Sequence, residues 1–182
     1  DALDRVLTTT YPTGEVVTQT YNAMGTLENV RSPTFGQWYA SNLDYNANGS
    51  LALIQLGNNL TTNYNYFPNN FRLQSIQVSS LLSLTYKYDN VGNVMSITDT
   101  ASFATPQYQR FTYDSLDRLI TATVTGAITG TYNQTYAYNQ IGNLTSKAGV
   151  TQWYSDPLHI HALSNLITGS LKLTDTYDLN GN

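Results

Sequence analysis

The only two histidines of this chain, His159 and His161, are candidate metal ligands. They lie two positions apart, so both would point to one face of a strand. A metal site needs at least one further ligand, and Asp156 is the nearest acid. We favour a structural role for the pair and predict that the chain binds no metal and no other cofactor.

Two pairs of carboxylates could exchange protons with a substrate, Asp114 with Asp117 and Asp1 with Asp4. Each pair occupies the same place in a repeated phrase, which favours capping of the backbone over acid–base catalysis. The sequence contains no Gly-x-Ser-x-Gly phrase, phosphate-binding loop or dinucleotide fingerprint. We therefore predict that the chain is not an enzyme.

Two Trp-Tyr pairs indicate a different chemistry. Exposed rings of Trp38, Tyr39, Trp153 and Tyr154 could stack on sugar rings. The competing interpretation is that regularly spaced aromatic side chains pack against one another on a sheet. We favour packing for the tyrosines that recur along the chain, and both interpretations stay open for the Trp-Tyr pairs.

The four paired carboxylates lie in a short phrase that recurs along the chain. The phrase has an aromatic residue, Asp or Asn, two variable residues, Gly, a small polar residue, and Leu or Val. Its copies lie at 21–27, 45–51, 88–94 and 138–144, with Asp-Arg variants at 1–6 and 113–119, a degenerate copy at 67–73 and an incomplete one at 177–182. A period of about 21 to 25 residues is typical of a repeat architecture.

The phrase predicts a turn, because Asp or Asn can bond the backbone two residues on and Gly takes a positive φ without steric cost. The positions assigned to these turns are Tyr21, Gly25, Tyr45, Gly49, Tyr88, Asp89, Gly92, Asn93, Tyr113, Asp114, Asp117, Arg118, Tyr138, Gly142, Asn143, Tyr177, Asp178 and Gly181. Gly92 and Gly142 should have positive φ, and Asp4 and Asp117 should replace Gly in the Asp-Arg copies.

Two positions should depart from this rule. Phe71 stands where the other copies have Gly, and a bulky aromatic residue disfavours a positive φ. We therefore predict that copy 67–73 turns differently. Gly57 lies outside the phrase, and we expect it to tolerate substitution better than Gly92 or Gly142.

Between the phrases the sequence has the alternation of a strand, as in residues 119–125, and it is rich in Thr and Tyr. No stretch has convincing helical spacing. Each repeat should therefore be one β-hairpin, and the chain all-β, built from consecutive antiparallel hairpins. One apolar position per repeat should lie on a common packed face: Val6, Leu27, Leu51, Leu73, Val94, Leu119 and Leu144.

Composition excludes several classes of partner. Three Lys and five Arg are scattered against 12 acids, so we predict no nucleic-acid surface. No segment approaches 18 consecutive apolar residues, so we predict no membrane insertion. Low charge with abundant Thr and Asn is typical of secreted or cell-surface β-proteins. Four triplets, at Asn48, Asn59, Asn133 and Asn143, are possible glycosylation sites.

These phrases resemble the YD repeats, or Rhs repeats, of bacterial Rhs polymorphic toxins, the BC component of insecticidal Tc toxins, wall-associated proteins and teneurins. The most specific matches are 88–93, 113–119 and 138–144. Residues 156–164 are also similar to a Pro-His-Ala-Val-Thr-Ser phrase of bacterial Rhs proteins, with Ile160 in the family's Pro position. That similarity places the two histidines in a turn.

The resemblance implies a ribbon of β-hairpins, curved or spiralling into a hollow shell, which in toxin members encloses a C-terminal effector released by an aspartyl autoprotease. The Asp-Pro-x-Gly phrases of that protease are absent here, so its activity is not implied. We interpret residues 1–182 as about seven repeats, a fragment of a longer chain.

The leading hypothesis is encapsulation and delivery of a toxin domain, with the remaining repeats and the C-terminal domain of the parent chain as partners. An extracellular adhesion or filament-forming module is the alternative, in which open sheet edges associate with other copies.

Overall fold

The computed structural model of this chain describes residues 1–101, 105–126 and 132–178. Strands account for about half of these residues, and no helix occurs among them. The strands are β1 Thr8–Thr10, β2 Val16–Tyr21, β3 Leu27–Ser32, β4 Gln37–Tyr45, β5 Leu51–Leu56, β6 Thr61–Tyr66, β7 Leu73–Val78, β8 Leu82–Tyr88, β9 Val94–Asp99, β10 Gln107–Tyr113, β11 Leu119–Thr125, β12 Asn133–Tyr138, β13 Leu144–Lys147, β14 Val150–Trp153, β15 Asn165–Thr168 and β16 Leu171–Thr174.

The chain divides into two compact units, Asp1–Tyr86 with Thr98–Ala104, and Lys87–Ile97 with Thr105–Asn182. Within each unit the strand order in the sheet is the order in the chain, and the recorded pairings are antiparallel. Each strand therefore pairs with its sequence neighbours, as expected for consecutive hairpins. The predicted all-β fold of antiparallel hairpin repeats is confirmed.

The phrases set the register of the hairpins. The first and last residues of a phrase are cross-strand partners in Tyr21↔Leu27, Tyr45↔Leu51, Tyr113↔Leu119 and Tyr138↔Leu144, with a register shift beside each tyrosine. Such a shift marks a bulge, which is what a turn with a left-handed last residue produces.

Few apolar side chains are buried in either unit. Those of the described residues are Val17, Leu43 and Ala101 in the first unit and Ala122 and Val124 in the second. The seven equivalent apolar positions are less enclosed than the prediction of a packed face requires, because six are half-buried and Val6 is exposed. Pairing between neighbouring strands, rather than a deep core, therefore holds these sheets together.

No helix in the described part of the chain is long and apolar enough to span a membrane.

Candidate functional site at the turn edge

The phrase turns 1–5, 22–26, 46–50, 67–72, 89–93, 114–118 and 139–143 lie at one end of the hairpins, which we call the turn edge. The longer loop 154–164, which is not a copy of the phrase, lies at the same end of its hairpin. In the turn 22–26, the Asn22 N–H donates to Thr26 O at 3.0 Å and the Gly25 N–H donates to Asn22 O at 2.9 Å. The Asn22 side-chain oxygen accepts the N–H groups of Met24 and Thr26. This is a three-residue hairpin loop that ends in a left-handed residue.

The left-handed position is occupied in every phrase turn that the structure describes. The φ values are 82° at Gly25, 83° at Gly49, 114° at Gly92 and 91° at Gly142. In the Asp-Arg copies the values are 56° at Asp4 and 59° at Asp117, as predicted for residues that replace Gly.

Asp89 caps its turn with an ionised side chain. One oxygen accepts N–H bonds from Val91, Gly92 and Asn93 at 3.1, 2.7 and 2.8 Å. Desolvation by itself raises the pKa of this carboxyl, but the bonds from Gly92 and Asn93 outweigh it and hold the pKa below its ordinary value. The charge of Asp89 therefore stabilises the turn.

The two Asp-Arg copies contain the same ion pair. Arg118 lies 2.7 Å from the Asp114 carboxylate, and Arg5 lies 2.6 Å from the Asp1 carboxylate. The Arg118 side chain, followed by its backbone N–H, lowers the pKa of Asp114. Both carboxylates are therefore held in ion pairs within their own turns, which agrees with capping rather than proton transfer as their role.

Each of these arginines also reaches the next repeat. The Arg118 guanidinium lies 4.7 Å from the centre of the Tyr138 ring, and that of Arg5 lies 4.4 Å from the centre of the Tyr21 ring. A guanidinium at this distance is attracted to the face of the ring. One arginine therefore closes its own turn and holds the following hairpin.

The asparagine of a Gly-Asn copy makes the corresponding connections. Asn93 donates to Asp89 at 3.0 Å within its turn and to Asp117 in the next repeat at 2.8 Å. Asn143 is buried and donates to Ile160 O at 2.7 Å. The last polar residue of the phrase therefore links neighbouring turns in the second unit.

The phrase tyrosines form a second connection, which we call the tyrosine ladder. Six tyrosine hydroxyls each donate to the carbonyl of an apolar residue in the preceding repeat, and in five of the six bonds that residue ends the preceding phrase. The bonds are Tyr21 to Val6 (2.9 Å), Tyr66 to Leu51 (2.9 Å), Tyr113 to Val94 (2.9 Å), Tyr138 to Leu119 (3.0 Å), Tyr154 to Leu144 (3.1 Å) and Tyr177 to Leu163 (3.0 Å). Burial raises the pKa of the Tyr113 and Tyr154 hydroxyls, so they remain protonated donors.

Sequence reasoning missed two members of this ladder. The sequence indicates Tyr154 only as the neighbour of Trp153. It indicates Phe67, and not Tyr66, as the aromatic residue that begins the degenerate copy. Tyr66 ends β6, as Tyr113 ends β10, and pairs with Leu73, whereas Tyr154 directly follows β14. Tyr45 ends β4 in the same slot, yet among the described residues its hydroxyl makes no ladder bond.

The degenerate copy does turn differently, but the reasoning about Phe71 was wrong. Phe71 has a φ of 55°, the left-handed conformation that a bulky residue disfavours. Its N–H donates to Phe67 O at 2.9 Å, and the Phe67 N–H donates to Arg72 O at 2.9 Å. This closes a loop one residue longer than the others. The pairing of Tyr66 with Leu73 sets the loop length, and Phe71 adopts the strained conformation that closes it.

The prediction for Gly57 was also wrong. A Cβ atom at this position would lie 1.8 Å from the Trp38 carbonyl oxygen, because the Gly57 N–H donates to Tyr39 O across the neighbouring strand. By contrast, a Cβ at Gly142 meets no atom within 4 Å. Gly57 is required by close approach of two backbones, which the phrase does not reveal.

The two histidines lie in the long loop 154–164 and have different partners. His159 Nδ1 lies 2.9 Å from the Asp156 carboxylate, and His161 Nδ1 lies 2.6 Å from the Asn143 side-chain oxygen. The bond with His159 lowers the pKa of Asp156. The described residues contain no group of three or more His, Cys, Asp and Glu that could hold a metal.

The two Trp-Tyr pairs differ from each other. Tyr154 belongs to the ladder, whereas the Tyr39 hydroxyl donates to the Glu15 carboxylate. Trp38 is half exposed with the Arg31 guanidinium 5.4 Å from its ring centre, and Trp153 is exposed.

The incomplete last copy is only partly described. Tyr177 joins the ladder and Asp178 follows it, whereas Gly181 lies outside the described residues.

The chain is similar to solved structures of repeat-containing toxin proteins. No protein-family model and no curated protein matches the chain. The crystal structure of TcdB2-TccC3 matches with a TM-score of 0.72 and 30% identity, and the match covers 84% of this chain and 9% of that one. TcdB2-TccC3-TEV has the same TM-score with 31% identity over 81% of this chain. TcdB2-TccC3 without its hypervariable C-terminal region matches at 0.71 with 30% identity over 84%. The chain spans 9% of the length of each.

Proposed function

The chain is a YD-repeat, or Rhs-repeat, protein, and we propose that it forms part of the wall of a hollow shell that encloses and helps deliver a C-terminal toxin domain. The role is structural and non-enzymatic, in an exported protein. Its partners are further repeats and the C-terminal domain of a longer polypeptide. The similarity to TcdB2-TccC3 supports this, since that protein has a hypervariable C-terminal region and is about tenfold longer than the matched segment.

The observation that carries the proposal is an exposed apolar side chain that recurs in the phrase turns of both units. Most phrase turns place a large apolar residue immediately before the left-handed position. These residues are Leu3, Met24, Val91, Leu116 and Ile141, with exposures between 54% and 75%. A repeated apolar position in solvent indicates a surface that another part of the protein covers.

A ribbon wound into a shell provides that cover. When hairpins wind in successive courses, the turn edge of one course lies against the next course, and the apolar tips become buried. The ladder bonds and the turn-to-turn bonds then join hairpins within a course. Both kinds of contact are needed for a wall without gaps.

The test is protease protection of the full-length protein that contains this segment. Intact protein is digested, and its C-terminal region is followed by mass spectrometry. We expect the C-terminal region to survive as long as the repeats do. Rapid loss of that region while the repeats survive would refute encapsulation and favour the adhesion or filament module.

A variant tests whether the apolar tips close the wall. Leu116→Asp with Ile141→Asp should expose the C-terminal region to protease without altering the melting of the repeats. The matched control is Ser115→Asp with Gln140→Asp, which adds the same charge at exposed neighbouring positions of the same turns. Equal protection in both double variants would show that the tips do not seal the shell.

A further inference from the structure

Three exposed asparagines of the first unit share one local geometry. The side-chain oxygen of each accepts the backbone N–H two residues further on, at 3.1 Å for Asn48, 3.1 Å for Asn58 and 3.0 Å for Asn70. The residue that follows each asparagine has a positive φ, of 83°, 64° and 55° respectively. Asn48 alone among the three is followed by glycine. We propose that Asn48 is a site of spontaneous deamidation, in which the Gly49 backbone nitrogen attacks the Asn48 side chain.

The hydrogen bond of Asn48 brings the reacting atoms together. A side-chain oxygen that accepts the N–H two residues on folds its side chain over the intervening backbone. In this turn the intervening nitrogen is that of Gly49, which therefore lies beside Asn48 Cγ. Beyond the chain neighbours of Gly49, no atom lies within 4 Å of the place where a Cβ would be, so the approach is unobstructed. The nitrogens that follow Asn58 and Asn70 each have a side chain beside them.

The hydroxyl group of Ser50 polarises the Asn48 carbonyl. It donates to Asn48 Oδ1 at 2.6 Å, in addition to the Ser50 N–H at 3.1 Å. The Asn46 NH₂ group donates to Ser50 Oγ at 3.3 Å, which directs the hydroxyl proton toward Asn48. Attack on Cγ moves negative charge onto Oδ1, and the two Ser50 donors stabilise that charge as an oxyanion hole does. The Asn48 NH₂ group takes part in none of these bonds and is free to leave into solvent.

The reaction needs no partner except water. The Gly49 nitrogen loses its proton to solvent and bonds to Asn48 Cγ. The Cγ–Nδ2 bond breaks, and ammonia leaves with a proton from solvent, which produces a cyclic imide. Water then adds to one imide carbonyl and opens the ring, either to aspartate or to isoaspartate. The Gly49 N–H must first leave its bond with Asn46 O, and an exposed turn opens at small free-energy cost.

Deamidation adds a charge at a position that is apolar in most other phrase turns. Asn48 lies immediately before the left-handed residue, where those turns have an exposed apolar tip. None of the residues that line the adjacent cleft, between the turns 46–50 and 67–72, is Asp, Glu, Lys or Arg. The consequence rests on the proposed function: where the tips are buried between courses, an unpaired carboxylate disfavours the contact and loosens the wall.

The experiment incubates the full chain, made in a host without N-glycosylation, at physiological temperature and pH. Peptide mapping with electron-transfer fragmentation measures amide loss at each asparagine and identifies isoaspartate. We expect Asn48 to react with isoaspartate among its products. Asn58 and Asn70 should react more slowly by about tenfold or more, because a side chain obstructs the attacking nitrogen. A second Asn-Gly dipeptide, Asn180-Gly181, lies outside the described residues, and its own peptide provides a reference rate.

Two variants separate the contribution of each group. Ser50→Ala keeps the Asn-Gly dipeptide but removes the hydroxyl donor, and it should slow the reaction at Asn48 about tenfold while the rate at Asn180 stays unchanged. Gly49→Asp introduces the residue that the Asp-Arg copies have in this slot, so the turn is retained. It should reduce the rate at Asn48 to that of Asn58 and Asn70. Thermal unfolding of both variants checks that the chain remains folded.

The effect on the wall is measured in the full-length protein by protease protection. Asn48→Asp should expose the C-terminal region faster than Asn48→Gln, which is neutral and lacks the five-membered imide route. Equal protection in the two variants would refute the effect on the wall. Loss of protection already in the wild type would refute encapsulation, whereas the deamidation rates are measured on the segment alone and do not depend on it.

Three results would each overturn the assignment of Asn48. The first is amide loss at Asn48 that is no faster than at Asn58 and Asn70. The second is a product that contains aspartate but no isoaspartate, since direct hydrolysis of the amide does not pass through the imide. The third is a rate at Asn48 that Ser50→Ala and Gly49→Asp both leave unchanged.

Discussion

The two ends of the hairpins are built on different principles. At the turn edge the loops 22–26, 46–50, 89–93, 114–118 and 139–143 have one length and are closed by the same backbone bond, from the N–H of the first residue to the carbonyl of the fifth. At the far end the loops 11–15, 33–36, 57–60, 79–81, 148–149 and 169–170 range from five residues to two. Residues of these five loops bond to the next repeat, as Asn93 does to Asp117, and this favours a constant loop length. The turn-edge loops 67–72 and 154–164 are longer. The length of each far-end loop is set by contacts near that loop, as that of the loop at Gly57 is by the backbone of Trp38 and Tyr39.

The largest expected effect is at the far end. Gly57→Ala would place a methyl group against the Trp38 carbonyl and should destabilise the chain by about 3 kcal/mol or more. Urea unfolding of the full chain measures this. The control is Gly14→Ala, where φ is 83° but no atom lies within 4 Å, and it should cost only about 1 kcal/mol. Equal losses of stability in the two variants would mean that close approach to the Trp38 carbonyl is not what requires glycine at position 57.

The next effect is conformational strain at the turn edge. Gly142→Val forces a β-branched residue to a φ of 91° in open space, and it should cost about 1 to 3 kcal/mol. Gly142→Asn should cost less, since Asn tolerates positive φ. Thermal unfolding of the two variants gives the comparison. If the Val and Asn variants unfold at the same temperature, the positive φ at position 142 is not what makes glycine necessary there.

A smaller effect should follow from breaking one bond of the tyrosine ladder. Tyr138→Phe removes the hydroxyl that donates to Leu119 O at 3.0 Å, and we expect a loss of about 1 kcal/mol. Tyr45→Phe removes a hydroxyl from the same slot without a ladder bond and should be nearly neutral. Denaturant titration of both variants tests whether the ladder, rather than the aromatic ring, provides the stabilisation.

The smallest effect is expected from acid, and it distinguishes carboxylate turns from amide turns. Asp89, Asp114 and Asp156 have pKa values lowered below the ordinary 3.8. The stabilisation that these ionised carboxylates give to the folded state is therefore complete above pH 3.8, and it is lost as the pH falls through the lowered pKa values. The turns capped by the amides of Asn22 and Asn139 should not lose stability as the pH falls, because an amide does not titrate in this range.

Asp114→Asn tests this assignment. Its free energy of unfolding should be below that of the wild type at neutral pH and converge with it in acid, because protonated Asp114 also lacks the ion pair with Arg118. Urea titrations at a series of pH values provide the curves. A difference that stays constant with pH would show that the ion pair contributes nothing.

Local turn chemistry made much of the fold predictable. An Asx side chain followed by Gly three residues later acts within its own loop, so the positive φ of Gly92 and Gly142 could be predicted from their neighbours alone. Tyr154 and Tyr66 were not found, because their slot is defined by a carbonyl in the preceding repeat. That acceptor lies ten or more residues away and leaves no local signal.

The sequence by itself determined the hairpins, their period and the position of most turns, since strand alternation and turn propensity depend on residues a few positions apart. Tertiary structure alone decided how hairpins join, that Gly57 faces a neighbouring backbone, and that Phe71 adopts a positive φ. Each of these depends on the register between strands that are distant in sequence, and register is fixed only when the strands pair.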